Sequence, residues 1–248
     1  SDVTLIPGAI QEINGNVSGT WTAGYLYWGM GNITIPTGQS LTIEPGVTVK
    51  FSEGAGLTAN GTLIAQGTEE APIVFTSRAP SPLPGDWKNI QLKAENNILQ
   101  WVEYEWAEDG ITGEEAGSST FDHFTIDSTL SLSANGVVLE DSAELSFSHC
   151  LLDVAGQPGI YVTDGNDSTF ESNTITGSSV NGIYVTNGNG SIFDANTITG
   201  PNANGIYVTK GEDSSFTNNV VEDSTTELIF CSEAEQSLFT GNQLTGTG

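Results

Sequence analysis

The sequence predicts an all-β fold, a single-stranded parallel β-solenoid of about nine coils with about 23 residues in each coil. First, the pentapeptide GIYVT begins at Gly159, Gly182 and Gly205, so the repeat has a period of 23 residues. Second, two further columns of residues keep this period. Third, the chain lacks helical periodicity and consists of short β-branched segments between Gly and Asn turns. The columns are Phe124, Phe147, Phe170, Phe193, Phe216 and Phe239, and Asp127, Cys150, Asn173, Asn196, Asn219 and Asn242.

The N-terminal half is predicted to form less regular coils of the same solenoid. In segments such as LTIEPGVTVKF, alternate residues, for example Leu41 and Ile43, are expected to point inward because a strand places alternate side chains on one face. The segment TSRAPSPLPGD, which begins at Thr76, has three prolines within five residues. Because proline cannot donate to a strand ladder, we expect this segment to be a protruding loop before Trp87.

The segment WVEYEW, residues 101–106, is predicted to be a coil wall with Val102 and Tyr104 inward and Trp101, Glu103 and Glu105 outward. Two glutamates on one face of a strand lie about 7 Å apart, which is near the separation between acid and base in an inverting glycosidase. An exposed carboxylate, however, has no cause for the raised pKa that a general acid needs. A sugar-contacting surface and a plain solvated wall both remain open.

The C-terminal coils are predicted to carry an aromatic column on their outer surface. Tyr161, Tyr184 and Tyr207 occupy the outward position of GIYVT in three successive coils, and Phe230 follows them. Threonines lie two residues further on in each coil. Aromatic rings stack on the C–H faces of sugars, and a rung spacing of about 4.8 Å is close to the length of one pyranose unit. Alternatively, the rings stabilise neighbouring coils by cross-strand pairing.

The turns and the cysteines complete the repeat. The Asn column is interpreted as a turn ladder, in which each side-chain amide bonds the next coil. The turn acids Asp164, Asp167 and Asp213 are calcium candidates, although their spacing matches no known calcium loop. Cys150 and Cys231 are separated by about 17 Å along the solenoid axis, so we expect two free, buried thiols. His123 and His149 are interpreted as structural or surface residues.

The composition excludes several classes of partner. The chain has 5 Lys plus Arg against 31 Asp plus Glu, and its net charge is −26. Nucleic acid and an anionic membrane surface both require clustered cations, so neither is an expected partner. No apolar run is long enough to span a bilayer, and no secretory leader is visible, as in a mature or excised domain. We therefore expect a secreted or cell-surface monomer excised from a larger multidomain protein.

The segment GNITIPTGQSLTIEPGVTVKFSEGAGLTANGTLIAQGTEEAPIVFTS, followed by PGDW, resembles the opening of right-handed parallel β-helices of bacterial secreted and surface proteins. The NGIYVT…F..NTITG coils resemble the pectate-lyase-like superfamily. The resemblance implies a right-handed solenoid in residues 37–248 and an aromatic cap in residues 1–36. It also implies that Trp21, Tyr25 and Tyr27 shield the open end, and that Trp87 packs at a corner, whereas Trp28 is expected to be exposed.

The resemblance extends to lyases, glycosidases, adhesins and a β-helical carbohydrate-binding module family that binds xylan. The paired-arginine signature of the lyases and the Gly-His-Gly element of polygalacturonases are absent from the sequence. We therefore predict no catalytic residues and no cofactor beyond calcium. The predicted function is non-catalytic binding of a plant cell-wall polysaccharide, with xylan as the first candidate. A structural or adhesive surface domain is the alternative, and a polysaccharide lyase or glycoside hydrolase is the second alternative. The predicted glycan contacts are Trp28, Trp87, Trp101, Glu103, Glu105, Tyr161, Tyr184 and Tyr207.

Overall fold

A computed structural model of the chain describes residues 9–126, 134–154 and 157–246. Within these residues the chain forms 27 β-strands and no helix, and the strands pair in parallel. They wind into a right-handed β-helix of about ten turns with about 23 residues per turn, which confirms the predicted fold class. The described residues therefore include no helix that is long and apolar enough to cross a membrane.

Each regular coil contributes one strand to each of three faces, which we call faces A, B and C in chain order. Four longer strands bend across two faces: β1 (Ile10–Asn16) and β3 (Leu26–Ile35) belong to faces C and A, and β10 (Ile98–Tyr104) and β12 (Thr120–Ile126) to faces B and C. Face A also contains β6 (Gly56–Ala59), β9 (Ile90–Leu92), β11 (Ile111–Glu114), β13 (Val137–Glu140), β16 (Ile160–Val162), β19 (Ile183–Val185), β22 (Ile206–Val208) and β25 (Ile229–Cys231). Face B also contains β2 (Gly19–Trp21), β4 (Ser40–Ile43), β7 (Thr62–Gln66), β14 (Ser146–Ser148), β17 (Thr169–Glu171), β20 (Ile192–Asp194), β23 (Ser215–Thr217) and β26 (Leu238–Thr240). Face C also contains β5 (Thr48–Phe51), β8 (Ile73–Ser77), β15 (Leu151–Asp153), β18 (Thr174–Thr176), β21 (Thr197–Thr199), β24 (Val220–Ser224) and β27 (Gln243–Gly246).

A column of stacked phenylalanines fills the core beneath face B, with ring centroids 4.6 to 5.3 Å apart. Its first member is Phe121, which lies over Phe147, and this corrects the expectation that Phe124 heads the column. The coil between them has 26 residues, because three extra residues lie between β12 and β13. Phe124 therefore occupies the position of the polar column, one corner away. The column is Phe121, Phe147, Phe170, Phe193, Phe216 and Phe239, of which the first five are buried and Phe239, on the last coil, is exposed.

The polar column forms a hydrogen-bonded ladder inside the corner between faces B and C, as predicted. The side-chain amides of Asn173, Asn196 and Asn219 each donate to the side-chain oxygen of the asparagine one coil further on, at 2.9 to 3.0 Å. Asp127, the first residue expected in this column, lies outside the described residues. A second ladder, which was not predicted from the sequence, satisfies backbone groups at the corner between faces A and B. It consists of Ser168, Ser191, Ser214 and Ser237.

The same corner between faces B and C also determines which side chains project outward. From β10 onward, one residue per coil adopts a left-handed backbone conformation there, with φ of 50° at Trp101, 51° at His123 and 53° at His149. This conformation interrupts the strand alternation, so that Leu99 and Val102 both point inward while the residue between them at the bend points out. The column continues through Ser172, Ala195, Asn218 and Gly241.

An aromatic cluster lies at the N-terminal end of the solenoid. Trp21 and Tyr27 are each 5% exposed, and their rings stack with centroids 4.7 Å apart. The ring of Tyr25 lies beside that of Tyr27, with centroids 6.3 Å apart and the planes inclined by 59°. Strands β1 and β3 of this region already pair in register with the coils that follow.

Both cysteines are free thiols, as predicted. Cys150 is buried in the polar column, and burial raises the pKa of its thiol to about 12. Cys231 follows the inward Val208 in its column but is only partly buried, because it lies near the last coil, which corrects the expectation of full burial. Burial raises its pKa as well.

We expect iodoacetamide at pH 8 to modify Cys231 in the folded protein and to leave Cys150 unmodified. With a pKa of about 12, only about one Cys150 thiol in ten thousand is the reactive thiolate at this pH, and the side chain is inaccessible. Mass spectrometry of tryptic peptides measures both sites, and unfolding in guanidinium chloride should make both reactive. Modification of Cys150 at the rate of Cys231 in the folded protein would contradict its burial.

Candidate functional site

The structure divides the predicted glycan contacts between two surfaces and the core. Trp28, Glu103 and Glu105 lie on face C, and Trp101 lies at the corner that borders face C. The tyrosine column lies on face A. Trp87 lies in the core.

Trp87 is corrected as a candidate contact, because its side chain has no exposed surface. Its ring stacks on Phe51 with centroids 4.2 Å apart and contacts Tyr104 at 4.9 Å. The indole Nε1–H donates to the backbone carbonyl of Glu105 at 2.8 Å. Trp87 therefore anchors the end of the coil wall that carries the two glutamates.

The wall of residues 101–106 has the predicted orientation. Val102 and Tyr104 are buried, Glu103 is exposed and Glu105 is half-buried. The Glu105 carboxylate accepts a hydrogen bond from the Thr76 hydroxyl at 2.8 Å, which fixes its position on face C. Both glutamates line a groove of about 540 Å³, whose other lining residues are Tyr104, Thr125, Ile126, Leu151, Asp153 and Thr176. Carboxylate and hydroxyl oxygens along a groove are acceptors and donors suited to sugar hydroxyls.

Trp28 lies on face C three rungs before Glu105, in the outward column that runs through Lys50 and Thr76. The Arg78 guanidinium lies over the Trp28 ring, 4.2 Å from its centroid. Trp28 and Arg78 line a second groove of about 630 Å³ beneath the proline loop. Trp28 is half-exposed, and its Nε1 is buried without a hydrogen-bond acceptor among the described residues.

A stack of three rings stands at the corner between faces B and C, on three successive rungs. The Trp101 and His123 rings are 3.8 Å apart between centroids, and the His123 and His149 rings 4.8 Å apart. The Asp122 carboxylate lies beside both imidazoles: its Oδ1 is 3.0 Å from Nδ1 of His123 and 3.4 Å from Nδ1 of His149. The sequence alone indicated only structural or surface roles for these two histidines. Their 26-residue separation equals the length of the local coil, which is the signal that could have joined them.

Neighbouring polar groups hold the Asp122 carboxylate in place. Ser148 Oγ donates to Oδ1 at 2.8 Å, and Gln100 Nε2 donates to Oδ2 at 3.0 Å. Burial raises the pKa of Asp122, but the hydrogen bonds from Ser148, Gln100 and His123 outweigh burial, so the pKa is lowered from its ordinary value. Asp122 is therefore a carboxylate with a fixed orientation.

The tyrosine column on face A has the predicted register but is not a flat platform. Tyr161 and Tyr184 are tilted by 37° and Tyr184 and Tyr207 by 79°, with centroids 4.9 Å apart in both pairs. The rings are half-buried against one another. Burial and the two flanking tyrosines raise the pKa of Tyr184. This packing favours the role of stabilising neighbouring coils.

The calcium candidates lie at the two bends between faces A and B. Asp164 accepts a hydrogen bond from Asn187, and a hydrogen bond shared with Asp164 is the main cause that raises the pKa of Asp141. Asp167 and Asp213 have φ of 54° and 56° and lie two rungs apart. Calcium binding at these residues stays a prediction. Among the described residues, the group of His, Cys or acidic side chains close enough to share a metal ion is Asp122, His123 and His149.

Two family models match the chain. Residues 80–247 match the model described as "Periplasmic copper-binding protein (NosD)", and residues 12–115 match the "Pectate-lyase like beta helix domain". Among curated proteins, Protein bark beetle of Drosophila melanogaster is 44% identical over 49 residues, which cover 20% of this chain and 2% of that protein.

Solved structures with a similar course of the chain share little sequence with it. The Dettilon tailspike protein is 15% identical with a TM-score of 0.53, over 81% of this chain and 48% of the tailspike chain. The alginate lyase from a Paenibacillus species is 12% identical with a TM-score of 0.42, over 81% of this chain and 93% of the lyase. At this identity the tailspike likeness shows the fold alone, and the chain spans about half of the tailspike chain.

Proposed function

The chain belongs to the family described as periplasmic copper-binding protein (NosD), and we propose that on this scaffold it is a non-catalytic module that binds a neutral plant polysaccharide, with xylan as the first candidate. The observation that carries the proposal is that Trp101, Glu103 and Glu105 lie together on and beside face C, next to a groove of about 540 Å³. The pectate-lyase-like β-helix match of residues 12–115 supports it.

The arrangement suits a chain of sugars that runs along the solenoid axis. Successive rungs of face C repeat at about 4.8 Å, so that equivalent polar groups recur at nearly the interval of the sugar units. Hydroxyls of Thr125 and Thr176 and carboxylates of Glu103 and Asp153 face the groove. Trp101 is half-buried at the corner that borders this face, with its ring stacked on His123. An aromatic ring at such a border can contact the C–H face of a sugar. The net charge of −26 favours a neutral over an anionic polysaccharide.

We propose a periplasmic or extracellular location, which agrees with the description of the family. The same description names copper, and the donor set of Asp122, His123 and His149 fits such an ion, because imidazole nitrogens and a carboxylate oxygen are ligands that Cu²⁺ accepts. In the alternative, the chain is a structural or adhesive surface domain, and it then binds no glycan. The second alternative is a polysaccharide lyase or glycoside hydrolase.

Replacing Trp101 by alanine is expected to weaken glycan binding by about 5- to 30-fold, equivalent to about 1 to 2 kcal/mol, because one aromatic contact is lost. Affinity electrophoresis on xylan, mixed-linkage glucan and mannan measures this effect. The matched control is Tyr184→Ala on face A, which should retain the wild-type affinity.

Each outcome of this experiment decides between the candidates. If none of the three polysaccharides retards the wild-type protein, the binding proposal is wrong and the structural alternative gains support. If Tyr184→Ala weakens binding and Trp101→Ala does not, the site lies on face A. New unsaturated or reducing ends after incubation with a polysaccharide would show an enzyme.

A further inference from the structure

The two histidines of the chain occupy neighbouring rungs at one corner of the solenoid. The sequence contains 2 His in 248 residues. They are 26 residues apart, and only the long coil between β12 and β14 places them one above the other. Both rings turn Nδ1 toward the same oxygen, Oδ1 of Asp122, at 3.0 and 3.4 Å.

The donor atoms lie close to the spacing of ligands that share one ion. Bonds of about 2.0 to 2.1 Å from a metal to nitrogen or oxygen place neighbouring ligand atoms about 3 Å apart and opposite ones about 4 Å apart. The three donor atoms of Asp122, His123 and His149 all lie within 4.8 Å of one another. From this geometry we infer that Asp122, His123 and His149 bind one divalent transition-metal ion.

The groups around the cluster support such a site. Ser148 and Gln100 hydrogen-bond the Asp122 carboxylate and orient it, as outer groups commonly do for metal ligands. The side chain of His149 is 52% exposed and that of His123 32% exposed, so an ion can reach them and solvent can complete its coordination. Two imidazoles and one carboxylate favour Cu²⁺ and Zn²⁺ over calcium or magnesium, and Cu²⁺ binds most tightly in the general order of these ions.

Binding requires a small rearrangement. The imidazole planes are inclined by only 12°, so the nitrogen lone pairs run nearly parallel. A metal ion lies close to the plane of each imidazole that it binds, so the exposed His149 ring must rotate about its Cβ–Cγ bond. The hydrogen-bonded proton between Asp122 and His123 leaves to solvent when the ion takes its place. This inference is independent of the proposed glycan binding.

The test is titration of the whole protein with CuCl₂, followed by isothermal calorimetry and by electron paramagnetic resonance. We expect one ion per chain and nitrogen hyperfine structure from two imidazoles. His123→Asn and His149→Asn should each weaken the affinity at least about 10-fold, since each removes one of three ligands. Asparagine is chosen because it tolerates the left-handed backbone of these positions, so the fold should be retained. Asp164→Asn, at an acidic bend, is the control and should bind copper like the wild type.

Trp101 provides a second readout, because its ring is stacked on His123. Copper bound at His123 should quench the fluorescence of Trp101, and Trp101→Phe should lose that part of the quenching while calorimetry still measures one ion. Absence of binding at micromolar copper would overturn the inference. So would wild-type affinity in both histidine variants, or an equal loss in Asp164→Asn, because the ion would then be held by the general negative charge.

Discussion

Replacing Asn196 by alanine is expected to lower the free energy of unfolding by about 3 to 5 kcal/mol, because several buried polar groups lose their partners at once. The side-chain amide of Asn196 donates to the carbonyl of Phe170 at 2.8 Å and to Oδ1 of Asn219 at 3.0 Å. Its own Oδ1 accepts from the backbone and side-chain N–H groups of Asn173 at 3.1 and 2.9 Å. Asn196 is fully buried, so water cannot replace these bonds without opening the corner.

Denaturation in guanidinium chloride, followed by circular dichroism, measures this loss. Asn202→Ala is the matched control, because Asn202 lies exposed in the turn after the same coil, and it should change stability by less than about 0.5 kcal/mol. Equal midpoints for the two variants would mean that the ladder does not stabilise the corner.

Replacing Trp87 by alanine is expected to destabilise the protein by about 3 to 5 kcal/mol, because the change leaves a large cavity in the core. The ring fills the space between Phe51 and Tyr104, and no part of it is exposed. The variant also leaves the carbonyl of Glu105 without the indole donor. The coil wall that carries Glu105 should therefore be destabilised as well.

The graded control is Trp87→Phe, which keeps most of the ring volume and removes the Nε1–H donor. Its cost should be smaller, about 1 to 2 kcal/mol, and it separates the lost hydrogen bond from the cavity. Chemical denaturation measures the free energy of unfolding of both variants. The shift of the thermal unfolding midpoint provides an independent measure of their stability. A Trp87→Ala protein as stable as the wild type would show that the loop and the coil wall do not depend on this residue.

The two proposed binding features share one border. Trp101 belongs both to the ring stack of the inferred metal site and to the edge of face C, where the glycan is proposed to lie. Trp101→Ala therefore tests the glycan contact, whereas His149→Asn removes a metal ligand two rungs away and leaves Trp101 in place. Comparison of glycan binding in these two variants, with and without copper, keeps the two proposals separable.

Single residues were predictable from the sequence where strand alternation or a repeated column is clear. Val102 and Tyr104 alternate with Glu103. In the structure Val102 and Tyr104 are buried and Glu103 is exposed, as expected. The asparagine ladder followed in the same way from a column of identical residues. Trp87 was less certain, because an aromatic residue after a loop fits both a corner pocket and an exposed patch, and only the neighbouring Phe51 ring decides between them.

The solenoid could be predicted from the sequence, because residues that recur every 23 positions stack in one column only if each repeat forms one coil. The absence of a disulfide between the two cysteines and the outward orientation of Glu103 and Glu105 were also predictable from the sequence. Which residues meet across the irregular coils became clear from the three-dimensional arrangement. Three extra residues between β12 and β13 shift the register, so that Phe121 rather than Phe124 heads the core column and His149 lies over His123. The physical reason is that contact between neighbouring coils depends on the length of each individual coil, which a constant period does not describe.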